Sequence, residues 1–212
     1  MHMPPLPRAS RSALRIVGVI IAMLALLPNI ATARTNESTN WTEEDYALYP
    51  PYCRARLLRE PKELEAYWSK KLGPKNFLHM HHFCFGLKAL NLAYGSLRDK
   101  QRLTGQAYTV VRNFNYILEQ TQRDFPLRPE ALLNIARGYA LLQEFKVARD
   151  KFEEALKLNP KLVDAWVGLS DMYYQNGQRA DALRVLEKAL EVAGEHKKIT
   201  LRIEDMKKQG VK

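Results

Sequence analysis

Residues 129–162, PEALLNIARGYALLQEFKVARDKFEEALKLNPKL, and residues 163–196, VDAWVGLSDMYYQNGQRADALRVLEKALEVAGEH, decide the fold. Laid over one another at an offset of 34, they match by side-chain size. Leu132 falls on Trp166, Ile135 on Leu169, Ala136 on Ser170 and Tyr139 on Tyr173. Further along, Ala148 falls on Ala182, Phe152 on Leu186 and Ala155 on Ala189. Self-similarity at a fixed period of this length marks a repeat architecture. Within each copy the apolar residues recur three and four positions apart, which gathers them on one stripe of a helix. Each copy therefore reads as two amphipathic helices. Asn159-Pro160 closes the first copy, and Gly194 stands at the equivalent place in the second.

At these positions the chain resembles the tetratricopeptide repeat family, a helix–turn–helix of 34 residues with large and small residues at fixed offsets. Trp166, Leu169, Tyr173, Gly177, Ala182 and Ala189 sit on the family pattern, while Gln143 stands where its turn glycine is usual. The resemblance implies an all-α fold: a short right-handed superhelix of helix pairs, with units at 129–162 and 163–196. It also implies that a partner lies in the groove lined by the first helix of each unit. By position in the repeat, that groove holds Glu130, Leu133, Arg137, Ala140 and Leu141 from the first unit. The second unit adds Asp164, Val167, Asp171, Tyr174 and Gln175. Asn134 fits the Lys/Asn set with which some relatives hold a terminal carboxylate, but Asp171 carries the wrong charge for it. A groove of aliphatics with Arg137 and Tyr174 suits a peptide or helix with an apolar anchor. The same residues also fit simple packing against neighbouring helices.

Residues 197–212 are helical by the spacing of Ile199, Ile203 and Met206 and read as a capping helix and tail with a polar outer face. Two repeats alone bury too little core, so residues 34–128 are expected to supply a helical N-terminal extension. Thr42 with Asp45 forms a capping box, and Pro50-Pro51 opens a helix through Leu57. Pro61 is expected at the first position of a helix that runs to Leu72 and stops at Gly73-Pro74. Apolar stretches over 77–93 and 100–121 form a pair with the character of a divergent repeat.

Residues 1–33 read as an address. Arg8, Arg11 and Arg15 precede an apolar run from Ile16 to Leu27, and Pro28 and Ala31-Thr32-Ala33 follow. This is the three-part layout of a secretory signal peptide, which places the mature chain in the periplasm. An uncleaved segment would instead anchor the chain in the inner membrane, since the run extended to Ala33 approaches a span in length. Only in that case is membrane contact expected. Removal of the three arginines would lower the net charge from +10 to +7, a moderate excess that names no partner.

The composition excludes several classes. With 46% hydrophobic and 26% charged residues, the chain is neither disordered nor a multi-span membrane protein. Two cysteines exclude a disulfide-dense miniature scaffold. In an oxidising compartment Cys53 and Cys84 form a candidate disulfide; two buried free thiols are the alternative. The densest polar cluster is His79-Met80-His81-His82-Phe83-Cys84. His79, His81, His82 and Cys84, with Met80 or Cys53 as further donors, would suit a transition metal or a non-covalent haem. A buried aromatic helix with hydrogen-bonded imidazoles fits them as well. The sequence has no Gly-x-Ser-x-Gly, no glycine-rich phosphate loop and no His-Glu-x-x-His. The expectation is a non-enzymatic module without a cofactor that binds a protein of the cell envelope as an adaptor or assembly factor. The basic residues are dispersed, so nucleic acid is not an expected partner.

Overall fold

The computed structural model describes residues 37–211; the segment read as an address lies outside them. Among the described residues there are eleven α-helices and no strand. None of these helices is long and apolar enough to cross a membrane. They are α1 (Glu43–Leu48), α2 (Pro51–Leu57), α3 (Lys62–Leu72), α4 (Pro74–Phe77) and α5 (Met80–Tyr94). Then follow α6 (Lys100–Gln120), α7 (Arg128–Leu141), α8 (Phe145–Leu158), α9 (Val163–Gln175), α10 (Arg179–Ala193) and α11 (Lys197–Lys208).

The two copies of the repeat form α7–α8 and α9–α10, and they turn in the same way. Gln143 N–H donates to Ala140 O and Glu144 N–H to Tyr139 O, at 3.0 and 2.9 Å. Gly177 N–H donates to Tyr174 O and Gln178 N–H to Tyr173 O, again at 3.0 and 2.9 Å. This pair of bonds caps a helix whose chain reverses through one left-handed residue. That residue has φ 79° at Gly177 and φ 62° at Gln143. Inside the second pair, Ser170 Oγ donates to Ala182 O at 2.9 Å, so small residues let the helices approach to backbone contact. Leu132, Ala136, Phe152, Leu169, Leu186 and Ala189 share one core with Ile199, Ile203 and Met206 of α11.

A second core lies under α2, α5, α6 and the start of α7. Phe83 and Phe114 meet edge to face at 4.9 Å, and Tyr52 meets Phe83 in the same way at 5.8 Å. The N-terminal segment is fastened to α5 and the turn before it by three devices. The Thr42–Asp45 capping box forms, and Lys88 Nζ reaches Asp45 at 2.6 Å while also donating to Asn40 O. Cys53 and Cys84 form a disulfide. Arg56 donates through Nε and Nη2 to Leu78 O at 3.1 and 2.7 Å. Two helix boundaries differ from expectation. Pro61 stands at the cap position and α3 begins at Lys62. The apolar stretch from Phe77 divides into α4 and α5, because Pro74 starts its own short turn before Met80 opens the longer helix.

Candidate functional site

The first helices of the two pairs, α7 and α9, lie beside a cleft of about 170 Å³. Arg137, Ala140 and Leu141 of α7 form one wall. Asp164, Val167, Asp171 and Gln175 of α9 form the other, and Phe152 and Met172 form the floor. Gly168 lets α9 approach α8 closely, because a Cβ there would stand 2.6 Å from the Phe152 ring. Tyr94, at the end of α5, closes one side.

The charges around the cleft are unequally committed. Asp164 accepts from Lys198 of α11 at 2.7 Å, and Asp171 accepts from Arg202 of α11 at 2.6 Å. Both acids are thus neutralised from the capping helix. Burial pushes the Asp171 carboxyl above its usual value, against the pull of Arg202 and Arg137. Arg137 is less engaged: it donates to Asn134 Oδ1 at 3.3 Å and stands 3.9 Å from Asp164. Burial also raises the Tyr94 phenol, with Arg137 opposing and Asp171 reinforcing the shift. The cleft therefore presents a guanidinium with uncommitted donors, a phenol and an amide over an apolar floor. Its polar lining is Tyr94, Arg137, Asp164, Asp171 and Gln175.

Of the residues placed in the groove by repeat position, the structure gathers Arg137, Ala140, Leu141, Asp164, Val167, Asp171 and Gln175. Three sit elsewhere. Leu133 is 3% exposed and belongs to the core shared by the repeat helices. Glu130 is directed away from the cleft: burial raises its carboxyl, one oxygen is buried without a partner, and its charge acts on Tyr52 of α2. Tyr174 is held by α11, donating to Gln209, with Arg179 and Arg202 at 5.4 and 5.6 Å from its ring. Tyr94 was not legible as a groove residue, because it lies outside the periodic units. Phe152 and Met172 carried only the signal of core positions.

The histidine cluster is not a set of converging ligands. Cys84 is consumed by the disulfide, which also removes Cys53. His79 stands at the cap of α5, and its Nδ1 lies 3.2 Å from the Tyr116 hydroxyl. His82 Nδ1 donates to Asn113 Oδ1 at 2.7 Å, and its ring lies 3.8 Å from that of Tyr116. His81 Nδ1 donates to Leu78 O at 3.1 Å, beside Arg56. Burial, followed by His82 and Arg56, lowers the His81 pKa to about 4. Met80 is wholly buried. Among the described residues no group of three His, Cys, Asp or Glu side chains is arranged to hold a metal.

A family model described as tetratricopeptide repeat matches residues 139–199. Over these residues the chain is similar to tetratricopeptide repeats. The match begins near the end of α7 and continues into α11. Tetratricopeptide repeats serve in general as protein–protein interaction modules and are typically non-catalytic. The matched range holds the α9 wall of the cleft with Ala140 and Leu141, and Arg137 lies just before it. A search of curated proteins gave no match to the chain.

Proposed function

We propose that the protein is an exported, non-enzymatic adaptor or assembly factor that binds a segment of another envelope protein in the α7–α9 cleft. The observation that carries this reading is the pairing pattern: α11 neutralises Asp164 and Asp171 and leaves Arg137 weakly engaged above Phe152 and Met172. A half-buried, partly unsatisfied guanidinium beside an apolar floor suits a segment that brings an apolar anchor and an acceptor, either a carboxylate or a backbone carbonyl. The role needs no cofactor. The Cys53–Cys84 disulfide supports an oxidising compartment, and the tripartite pattern of residues 1–33 supports export to the periplasm by cleavage. If that segment were retained it would anchor the same module at the inner membrane.

A photo-reactive residue at Gln175, in cells, tests the reading. One protein adduct is expected in stoichiometric amount, and Arg137→Ala is expected to abolish it. An adduct that persists unchanged in Arg137→Ala would remove the cleft from the account.

A further inference from the structure

A second surface lies on the other side of α9. At about 100° per residue, the α9 residues of the cleft fall on one side of the helix. Trp166, Leu169 and Tyr173 fall on the opposite one and floor a trough of about 410 Å³ between α8 and α10. Leu156 contributes from α8, and Val185 and Val192 from α10. The trough follows Val185 to Val192, seven positions, which is about 10 Å of helix or two turns. Trp166 already donates its indole N–H to Pro160 O at 2.8 Å, so the indole asks for no further polar partner. Val192 is 38% exposed at the rim.

Each wall carries an exposed lysine: Lys157 on α8 and Lys188 on α10. Neither makes an ion pair among the described residues. The acid that lines the trough, Glu153, has Arg149 at 3.9 Å. An apolar trough flanked on both sides by unpaired ammonium groups is complementary to an apolar stripe flanked by carboxylates. The walls also decide the backbone form of the occupant. Both are helices whose peptide groups are satisfied internally, so they offer no edge to which an extended strand could bond. A helix arrives with its own backbone bonds made, and residues one turn apart match the spacing of the walls. The geometry points to a docking site for an acidic amphipathic helix of a partner protein, separate from the α7–α9 cleft and independent of it.

The probe is a synthetic helical peptide of about four turns, with leucines at every third or fourth position and glutamates on both flanks. Its lysine-flanked counterpart is the control, and both are titrated against the full chain. The glutamate-flanked peptide is expected to bind and the lysine-flanked one not. The double variant Lys157→Glu with Lys188→Glu is expected to weaken binding about tenfold or more, while Arg137→Ala leaves it unchanged. Equal binding of the two peptides, or no binding of either, overturns the inference. So does a loss caused by Arg137→Ala and not by the lysine variant, which would move the peptide to the cleft. Concentration-dependent dimers abolished by the lysine variant would overturn it too, since the occupant would then be a second copy. The lysines are exposed, so the double variant is expected to keep the helical circular dichroism of the parent.

Discussion

Gln143 and Gly177 occupy the same left-handed turn of successive helix pairs, thirty-four residues apart, at φ 62° and 79°. The bonds on either side have the same lengths, so the turn is imposed by the repeat and not by the residue that makes it. A side chain in that conformation carries a steric cost of about 1–2 kcal/mol. Gln143→Gly should therefore stabilise the protein by about 0.5–1 kcal/mol, after the glycine's extra unfolded-state entropy is set against the relief. Gly177→Ala should destabilise it by a similar amount. Urea denaturation of the two variants tests both signs, and a loss of stability in Gln143→Gly would contradict the strain argument.

Lys88 is the cation of a part-buried pair: its side chain is 10% exposed and that of Asp45 is 17% exposed. Burial alone would raise the Asp45 carboxyl, but the Lys88 hydrogen bond and the Thr42 amide outweigh it and hold the carboxyl below its usual value. A carboxylate lowered in the folded state stabilises above its unfolded pKa and loses that contribution as pH falls below about 4. Lys88→Met leaves the half-buried Asp45 with the Thr42 amide but without its cation, at a cost of about 1–2 kcal/mol near neutral pH. In acid the variant and the parent should converge as Asp45 takes up a proton. Denaturation midpoints at neutral and acid pH provide the check.

His81 works in a higher window. Its folded pKa is about 4, below the ordinary histidine value. The unfolded chain therefore binds the extra proton between about pH 6.5 and 4, and stability must fall as pH falls through that range. Protonation also sets an imidazolium beside Arg56 at the joint of α2 and α5. His81→Gln should flatten the pH dependence across this window and leave the Asp45 step at lower pH in place. An unchanged slope in His81→Gln would assign the titration to another group.

The Cys53–Cys84 bond closes a sequence separation of 31 residues. On the chain-entropy model such a loop contributes about 3–4 kcal/mol. The pair Cys53→Ser with Cys84→Ser should lose stability of that order, with the loss concentrated in the N-terminal segment and not in the repeats. Amide exchange would show it as faster opening of residues 43–72 than of residues 129–196.

How far the sequence spoke depended on periodicity. Leu132, Tyr139, Trp166 and Ala182 announce two helix pairs because packing at a fixed offset constrains their size. The capping box at Thr42 and the two lone cysteines were also readable from local chemistry. Tyr174 was misplaced because its repeat position points into the groove only when the next helix leaves it free. Here Gln209 and Arg202 of α11 cover it. Leu133 is absent from the cleft because it packs into the core shared by the repeat helices. Tyr94 reaches the cleft from the end of a helix outside the repeats, and no offset connects it to Arg137. Lys88 left one trace, a single charge in the apolar run of α5, but Asp45 lies 43 positions away and tertiary contact alone pairs them.

The central claim is that Arg137 and the apolar floor beneath it receive a protein segment. Calorimetric titration of the partner identified by crosslinking, against the parent, Arg137→Ala and Arg112→Ala, tests it most directly. Arg112 is an exposed arginine of α6 that does not line the cleft. The account predicts one-to-one binding that weakens about tenfold to thirtyfold in Arg137→Ala, as an arginine anchor of roughly 2 kcal/mol requires. Arg112→Ala should bind as the parent does. Equal affinity of the parent and Arg137→Ala would contradict the account and place the partner on another surface.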